Sequence, residues 1–257
     1  MLKNKITFIT GASAGIGEAC ARTFANEGSH LILAARRLDK VTALSEKLSE
    51  EYGIRTLPLQ LDVRNREAVN SAVAELPKEW AEIDILINNA GLSRGLDKVQ
   101  EAYYLDWDEM IDTNIKGLLW VSRAVMPGMV QRDKGQVINI GSIAGRQVYA
   151  GGNVYCATKH AVRAITQGMR IDLVGTRVKC SSVDPGLVES EFSEVRFRGD
   201  LAKADPVYKN FPPLQPIDIA ETVLFCATRP AHVNIQDVLV MPQDQAAVYA
   251  SFPRGVE

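Results

Sequence analysis

The stretch that decides the fold is ITFITGASAGIG, residues 6–17, close to the amino end of the chain. Five apolar and β-branched residues lead directly into a glycine-rich turn, and the residues that follow have helical spacing. Glycines let a backbone turn tightly and approach a pyrophosphate, while a helix N-terminus presents free N–H groups and a positive dipole end. Glycine-rich turns are common, so the alternative is an ordinary strand-to-helix turn. The position between a strand and a helix favours phosphate binding.

The same alternation of strands and helices continues along the chain. Short apolar runs predict strands at residues 6–10, 31–35, 56–61, 85–89, 136–140, 179–183 and 238–241. Helical spacing predicts helices at residues 17–27, 40–51, 67–76, 107–132 and 155–174. This alternation predicts a single α/β domain with a doubly wound parallel sheet, covered by helices on both faces. In such a sheet the ligand crevice lies at the carboxyl ends of the strands.

Composition excludes several classes of protein. The 257 residues are 46% hydrophobic and 23% charged, as in globular proteins, and a net charge of −2 indicates neither a nucleic-acid nor an anionic-membrane partner. The apolar runs are too short to span a bilayer. Four widely spaced cysteines without histidine clusters are typical of reduced thiols in a cytoplasmic protein, and no metal site is expected.

One long connection interrupts this alternation of strands and helices. Residues 187–216 mix charges, aromatic residues and four prolines, directly after a predicted strand. A connection of this length in a compact domain is more often functional than passive. We therefore expect a lid over the substrate, the alternative being a passive surface excursion.

The end of the second predicted strand indicates which dinucleotide binds. NAD-binding domains place an acidic residue there to accept the ribose 2′-hydroxyl, whereas this chain has Arg36 and Arg37. A guanidinium suits a 2′-phosphate through charge-assisted hydrogen bonds. Arg37 is expected to stack on adenine or to share the phosphate, and Ser13 to donate a further bond. NADP is therefore favoured over NAD.

Two other strand ends face the same predicted crevice. Asp62 and Val63 end the third strand, where a carboxylate could accept a hydrogen bond from the adenine amino group. Asn89, Ala90 and Gly91 end the fourth strand, where small residues leave room for the adenosine ribose. Each signal is weak alone, and both add to the prediction of a dinucleotide site.

A serine, a tyrosine and a lysine form the predicted catalytic group. Tyr155 and Lys159 are four residues apart on one helix face, and Ser142 ends the fifth strand. Reduction of a carbonyl places charge on its oxygen, which needs a proton from a nearby acid. A free tyrosine has a pKa of about 10, and the Lys159 ammonium and an oxidised nicotinamide are expected to lower it. Ser142 would polarise the substrate oxygen. The alternative for the tyrosine–lysine pair alone is a half-exposed helix face.

These features together resemble the short-chain dehydrogenase/reductase family over nearly the whole chain. The motifs that carry the resemblance are TGASAGIG at 10–17, NNAG at 88–91, Asn114, Ser142, YCATK at 155–159 and DPG at 184–186. The resemblance implies a Rossmann-type seven-stranded sheet in one domain, residues 1–257, and often a homotetramer. It also implies that Asn114 holds a water linking Lys159 to solvent.

By the same resemblance, the cofactor site comprises Gly11, Ser13, Gly15, Ile16, Gly17, Arg36, Arg37, Asp62, Val63, Asn89, Ala90, Gly91, Tyr155, Lys159, Pro185, Gly186, Val188 and Ser190. Ser190 stands where the family often has a threonine that bonds the nicotinamide carboxamide. Its hydroxyl can make the same bond.

Finer motifs, including YAGGNVY at 149–155 and PGLV at 185–188, resemble the NADP-dependent 3-hydroxy acid dehydrogenases. That subgroup includes serine dehydrogenases and malonic semialdehyde reductases. The implied substrates are L-serine, 3-hydroxyisobutyrate, 3-hydroxypropionate and the matching semialdehydes. Their carboxylate needs a cation or several donors. The leading candidate is Arg196, and the others are Arg146, Gln147, Arg198 and Arg94.

Two other functions remain open from the sequence. One is a broad-specificity NADPH-dependent carbonyl reductase that needs no carboxylate on its substrate. The other is a non-catalytic NADP sensor with the same fold, although a sensor has no need of the positioned phenol of Tyr155.

Overall fold

The computed structural model describes residues 1–209 and 211–253. Seven strands form one parallel sheet in the order β3-β2-β1-β4-β5-β6-β7. They are β1 (Ile6–Thr10), β2 (His30–Ala35), β3 (Thr56–Gln60), β4 (Ile85–Asn88), β5 (Gly135–Ile140), β6 (Val178–Pro185) and β7 (Asp237–Val240). The predicted α/β class, the parallel sheet and all seven strand positions are confirmed.

Helices cover both faces of this sheet. They are α1 (Gly15–Asn26), α2 (Leu38–Tyr52), α3 (Arg66–Ala74), α4 (Tyr104–Ile111), α5 (Leu118–Gln131), α6 (Asn153–Asp172), α7 (Phe192–Arg196), α8 (Leu201–Ala204) and α9 (Pro216–Ala227). Neighbouring strand residues point to opposite faces, so Ile9 and Leu33 pack with α1, α2 and α9. Phe8 and Ile32 pack with α3, α5 and α6 on the other face. The sheet is therefore buried on both sides.

The strand order reverses between β1 and β4, which are neighbours in the sheet although two strands separate them in sequence. A crevice opens at such a point, outside the carboxyl ends of the strands. The glycine-rich turn after β1 and the small residues after β4 lie on its two sides, because Asn89 donates through Nδ2 to the carbonyls of Thr10 (3.0 Å) and Gly11 (3.1 Å).

The structure corrects two helix predictions. The helix predicted at residues 107–132 is interrupted by a π-helical turn at Asp112–Gly117, which separates α4 from α5. The predicted set also omits α9, although Pro216 occupies a favoured first helical position and Gln215 and Asp218 form a reciprocal cap. A short antiparallel pair, β8 (Gln245–Ala247) and β9 (Ala250–Ser251), follows β7.

Burial keeps the four cysteines as thiols. Cys20, Cys156, Cys180 and Cys226 are all buried and unpaired. Desolvation raises the pKa of Cys20 and that of Cys180 to about 12, so these two sulfurs remain protonated and unreactive at neutral pH. None of the helices in the described ranges combines the length and apolar character that crossing a membrane requires.

Candidate active site

A cleft of about 590 Å³ lies at the carboxyl ends of the strands. Residues from the ends of β1 to β6 and from the 187–216 segment line it. The predicted residues that line it are Gly11, Ser13, Gly15, Ile16, Arg36, Arg37, Asp62, Val63, Asn89, Ala90, Gly91, Ser142, Tyr155, Lys159, Pro185, Gly186, Val188, Ser190 and Arg196. The fold thus brings together groups that are far apart in sequence.

The glycine-rich turn is as tight as its sequence predicts. Gly11 has φ +65°, and a Cβ there would lie 2.9 Å from the Ala90 Cα. Gly17 is a correction to the predicted cofactor contacts, because it does not line the cleft. A Cβ on Gly17 would lie 2.3 Å from the Gly11 carbonyl oxygen, so this glycine instead allows α1 to pack closely on the turn.

The two arginines after β2 have different surroundings. Arg36 is exposed on the wall of the cleft and forms no ion pair with any residue in the ranges 1–209 and 211–253. Arg37 donates from Nε to the Ser13 hydroxyl (3.1 Å) and pairs with the Glu191 carboxylate (2.9 Å). Lys40 pairs with the same carboxylate at 3.2 Å. Arg36 is therefore the more available cation for a phosphate, and Arg37 is largely engaged.

Asp62 lies at the predicted adenine end but already has a partner. Arg64 donates to it from Nε (3.0 Å to each oxygen), from its second amino group (2.6 Å) and from its backbone N–H (3.0 Å). Burial raises the pKa of Asp62, but these bonds outweigh burial and hold the pKa below its ordinary value. The carboxylate is therefore charged at neutral pH and retains little acceptor capacity for an adenine amino group.

Lys159 is buried beneath the tyrosine of the same helix. Its Nζ donates to the Ile140 carbonyl at 2.9 Å and lies 6.0 Å from the centre of the Tyr155 ring. Burial lowers the pKa of this ammonium to about 8, although Asp184 partly opposes the shift. Lys159 is thus charged at neutral pH and close to its titration point.

The environment of Tyr155 differs from the sequence expectation. Burial raises the pKa of the phenol above its ordinary value, while Arg196 and a hydrogen bond with Ser142 lower it. The Arg196 guanidinium lies 5.9 Å from the centre of the ring. Two cations therefore lie at almost the same distance from the phenol ring, Lys159, which the sequence predicted, and Arg196 from the 187–216 segment, which it did not.

Of the five polar side chains predicted to meet a substrate carboxylate, only Arg196 lies in the cleft. Its Nε is buried and has no hydrogen-bond partner within the described part of the chain. Arg146 is a correction, because it pairs with Asp184 (2.8 Å) and Asp237 behind the cleft. Gln147 is another, because its Oε1 accepts from the backbone N–H of Val248 at 2.8 Å.

Comparison with known proteins places this fold and site in a family. The sequence profile described as short chain dehydrogenase matches residues 5–200. The chain belongs to the short-chain dehydrogenase family. An NADP-dependent 3-hydroxy acid dehydrogenase from Salmonella typhi is 50% identical over 97% of this chain and 100% of its own length. One of the same description from Schizosaccharomyces pombe is 48% identical over 95% of each chain.

A solved structure agrees with these relatives. The closed form of a serine dehydrogenase complexed with NADP+ superposes on this short-chain dehydrogenase with a TM-score of 0.90 and 46% identity, covering 98% of each chain. A crystal structure of serine dehydrogenase from Escherichia coli has a TM-score of 0.81 and 43% identity, covering 94% of this chain and 99% of that one.

In this dehydrogenase Asn114 lies in the π-helical turn and does not line the cleft. Its Nδ2 donates to the Leu92 carbonyl (2.8 Å) and the Thr158 hydroxyl (3.0 Å), and its Oδ1 accepts from the Leu92 N–H (2.9 Å). Both Nδ2 hydrogens and one lone pair of Oδ1 are thus used in joining the loop after β4 to α6. Its role in a proton relay stays a prediction.

Three contributors to the dehydrogenase site were not predicted. Phe192 packs against Tyr155 with ring centres 5.6 Å apart, Glu191 holds Arg37, and Glu109 pairs with Arg94 at 2.5 Å. An aromatic residue in a long connection carries no distinctive sequence signal, and neither does an acidic residue on a helix. Only the folded arrangement identifies them.

Proposed function

We propose that this chain is a dehydrogenase that transfers a hydride between NADP(H) and a small 3-hydroxy acid or its semialdehyde. L-serine, 3-hydroxyisobutyrate and 3-hydroxypropionate are the proposed substrates. The observation that carries the proposal is the guanidinium of Arg196 beside the Tyr155 ring, whose buried Nε has no hydrogen-bond partner among residues 1–209 and 211–253. A 3-hydroxy acid has a carboxylate two bonds from its carbinol carbon, so one molecule can meet the guanidinium and the phenol together.

The cleft fits the dinucleotide named in the relatives' descriptions. The first turn of α1 presents N–H groups beside Gly15 and Ile16, where a pyrophosphate would be held. Arg36 forms no ion pair with a described residue, although its charge helps to lower the pKa of Asp62, and its free guanidinium suits a 2′-phosphate. When bound, NADP supplies the acceptor or donor of the hydride.

The proton would be handled by residues of the chain itself. In the direction of reduction, the Tyr155 hydroxyl donates a proton to the substrate oxygen, and in oxidation the phenolate accepts it. Ser142 donates a hydrogen bond to that oxygen as charge develops. Lys159 and Arg196 supply positive charge near the phenolate, and the proton leaves through Lys159 and the region of Asn114.

We also propose that residues 187–216 close over the substrate. The segment leaves the sheet after β6 and returns beside its own beginning, where Leu214 donates from N–H to the Leu187 carbonyl at 2.9 Å. It contributes Ser190, Phe192 and Arg196 to the cleft. A segment tied at its base and carrying site residues in its first third can exclude water when the substrate binds.

The direct test follows NADP reduction by the purified protein with the three hydroxy acids and with uncharged secondary alcohols. We expect the hydroxy acids to be preferred, NADP to be preferred to NAD, and Tyr155→Phe to lose at least a hundredfold in kcat while retaining NADP affinity in a fluorescence titration. Tight NADP binding without turnover of any alcohol would contradict an enzyme and indicate a sensor.

One observation favours a second candidate, a broad-specificity carbonyl reductase. Phe192, Tyr149 and Phe211 give the substrate end of the cleft an apolar wall that would also accept a neutral ketone. Equal or better kcat/KM for neutral alcohols in the same assay would select this candidate.

The remaining proposals concern the setting of the enzyme. Buried, unpaired cysteines fit a reducing compartment, so we propose the cytoplasm. We also propose a homotetramer, for which apolar surface on α4 provides support and a test at the end of the Discussion.

A further inference from the structure

One carboxylate on α4 lies among three arginines. The Glu109 oxygens are 2.5 Å from Arg94 Nε, 3.2 Å from an Arg64 amino nitrogen and 3.8 Å from an Arg198 amino nitrogen. These arginines come from the loop after β3, the loop after β4 and the 187–216 segment. Glu109 is therefore the point where three separate parts of the cleft's rim are joined.

The arginine closest to Glu109 also holds the substrate segment by its backbone. The Arg94 side chain is only 10% exposed, and it donates to the Val195 carbonyl. The next residue, Gly95, donates from its N–H to the Arg196 carbonyl at 3.0 Å. Residues 195 and 196 are thus bound to the loop after β4, immediately beside the guanidinium that faces Tyr155.

A second carboxylate on the same helix strengthens this attachment. Asp106 lies three residues before Glu109, so both carboxylates share one face of α4. Asp106 is itself mostly buried and accepts from Arg198, two residues beyond Arg196. The segment around Arg196 is therefore held on both sides by charges of α4.

The segment around Arg196 needs contacts with the rest of the protein to keep its conformation. Helix α7 has only five residues, which is too short for a helix to be stable on its own. Arg196 has no ion-pair partner of its own in the described ranges. Its guanidinium lies over the rings of Tyr155 (5.9 Å) and Phe192 (5.2 Å). The backbone contacts of residues 195 and 196 hold the guanidinium within reach of these rings.

We propose that Glu109 is a positioning residue that fixes Arg94, and through Arg94 fixes Arg196 for binding the substrate carboxylate. Glu109 does not line the cleft. It neutralises a mostly buried guanidinium, which without a counter-ion would have to leave its place. The inference rests on the proposed function for the identity of the anion that Arg196 receives.

The test is a double-mutant cycle between Glu109→Gln and Arg196→Ala, measured with L-serine and with an uncharged secondary alcohol that the wild type oxidises. We expect Arg196→Ala to raise the KM for L-serine about 10- to 100-fold, the value of a charge-assisted bond. Glu109→Gln should raise it about 3- to 10-fold. Neither should change the KM for the uncharged alcohol by more than about twofold, because that substrate has no carboxylate. Arg196→Ala should lower kcat with both substrates, because Arg196 also lies beside the Tyr155 phenol. In the double variant the Glu109 change should add nothing.

Two further variants keep the result interpretable. Asp108→Asn removes an exposed carboxylate from the same helix and should leave both KM values unchanged. Arg94→Lys keeps the charge but loses the forked geometry, and it should reproduce the Glu109→Gln pattern if Glu109→Gln proves too unstable to assay.

Three outcomes would overturn the inference. An equal rise in KM for both substrates in Glu109→Gln would show a merely structural role for Glu109. Additive effects of the two changes would show that Glu109 does not act through Arg196. An unchanged KM for L-serine in Arg196→Ala would remove both the positioning role and the carboxylate contact on which it rests, while NADP-dependent turnover itself would still stand.

Discussion

Lys159 is an ammonium whose acidity is set by burial. The side chain is enclosed by the sheet and α6, and its main fixed partner is the Ile140 carbonyl. Desolvation penalises the charged form, so its pKa falls to about 8 from the ordinary 10.5. The folded protein therefore binds this proton less tightly than the unfolded chain does, and the charged lysine destabilises the fold at neutral pH.

This shift predicts a pH-dependent stability difference between the wild type and Lys159→Met. Below pH 8 the native ammonium carries the full penalty, which corresponds to roughly 3 kcal/mol for the shift to about 8. As the pH rises from 8 toward 10.5 the native lysine loses its proton before the unfolded one, and the penalty disappears. We expect the wild type to gain roughly 2 to 3 kcal/mol relative to Lys159→Met between pH 7 and pH 10.

Urea unfolding of both proteins across that range measures the difference directly. Lys47→Met, which removes an exposed lysine from α2, serves as the control and should show no such trend. A stability difference that is flat with pH, or that changes in the opposite direction, would contradict a buried lysine with a lowered pKa.

For single residues, the sequence predicted which side chains belong to the site better than it predicted the groups that surround them. Ser142, Tyr155 and Lys159 are recognisable because their spacing and their positions at a strand end and on one helix face are local. The second cation near the phenol was not predicted, since Arg196 is 41 positions from Tyr155 and reaches it only through the path of a long connection. Likewise, nothing local to Arg146 reveals that two aspartates from β6 and β7 hold it away from the cleft.

Among the elements, the start of α7 and the start of α2 are joined by charge. Glu191 bridges Arg37 (2.9 Å) and Lys40 (3.2 Å). Burial raises the pKa of Glu191, but the two cations lower it by more, so the carboxylate is charged at neutral pH. Arg36, beside them, is the proposed 2′-phosphate ligand. A phosphate bound by Arg36 would compete with the Glu191 carboxylate for the positive charge of Arg37 and Lys40.

Glu191→Gln should therefore bind adenosine 2′,5′-bisphosphate more tightly than the wild type does. The pairs are about 40% exposed on each side, so the gain should be modest, about 2- to 5-fold in Kd. Binding of 5′-AMP, which lacks the 2′-phosphate, should not change. Isothermal titration calorimetry with the two ligands measures both values.

Glu189→Gln is the matched control, because Glu189 bonds the Gln215 side chain at 2.9 Å and lies two residues away from the bridge. It should leave both affinities as in the wild type. Weaker binding of the bisphosphate by Glu191→Gln, or an equal gain for 5′-AMP, would contradict competition for the arginine.

Element boundaries show where sequence patterns stop being informative. The helices α1, α2, α3 and α6 have one strongly apolar face, and their positions were predicted within a few residues. The π-helical turn at Asp112–Gly117 was missed because the apolar spacing continues through it. The widened turn inserts one extra residue per turn, and its position follows from Asn114 bonding Leu92 and Thr158 from other parts of the chain.

Across the whole molecule, one topological feature assembles the site. Parallel strands ordered with a reversal between β1 and β4 bring every carboxyl-terminal loop to one edge. The sequence could predict this edge because strict alternation of strands and helices leaves few topologies. It could not predict that Glu109 ties three of those loops together, since ion pairs between loops depend on distances that only the folded chain sets.

The same view of the whole molecule leads to a prediction about assembly. Tyr103, Tyr104 and Leu105 are 71%, 77% and 74% exposed at the beginning of α4, although Tyr104 packs edge-on against Trp107 with ring centres 5.4 Å apart. Three consecutive exposed large side chains are unusual for a monomer, and such a patch marks a contact with another molecule. We propose that a second copy of this chain covers the patch, and the patch in this way supports the proposed homotetramer.

Light scattering should then give a mass of four times the 28.2 kDa of one chain. Replacing Tyr104 and Leu105 together by glutamate places charges in the contact, so we expect a smaller species and a lower melting temperature. Lys47→Glu, a charge change at an exposed position on α2, should leave the mass unchanged. Because the patch lies at the beginning of α4, the helix that carries Glu109, dissociation should also raise the KM for L-serine. A wild-type mass of one chain, or a tetramer that persists in the double variant, would exclude this surface as the subunit contact.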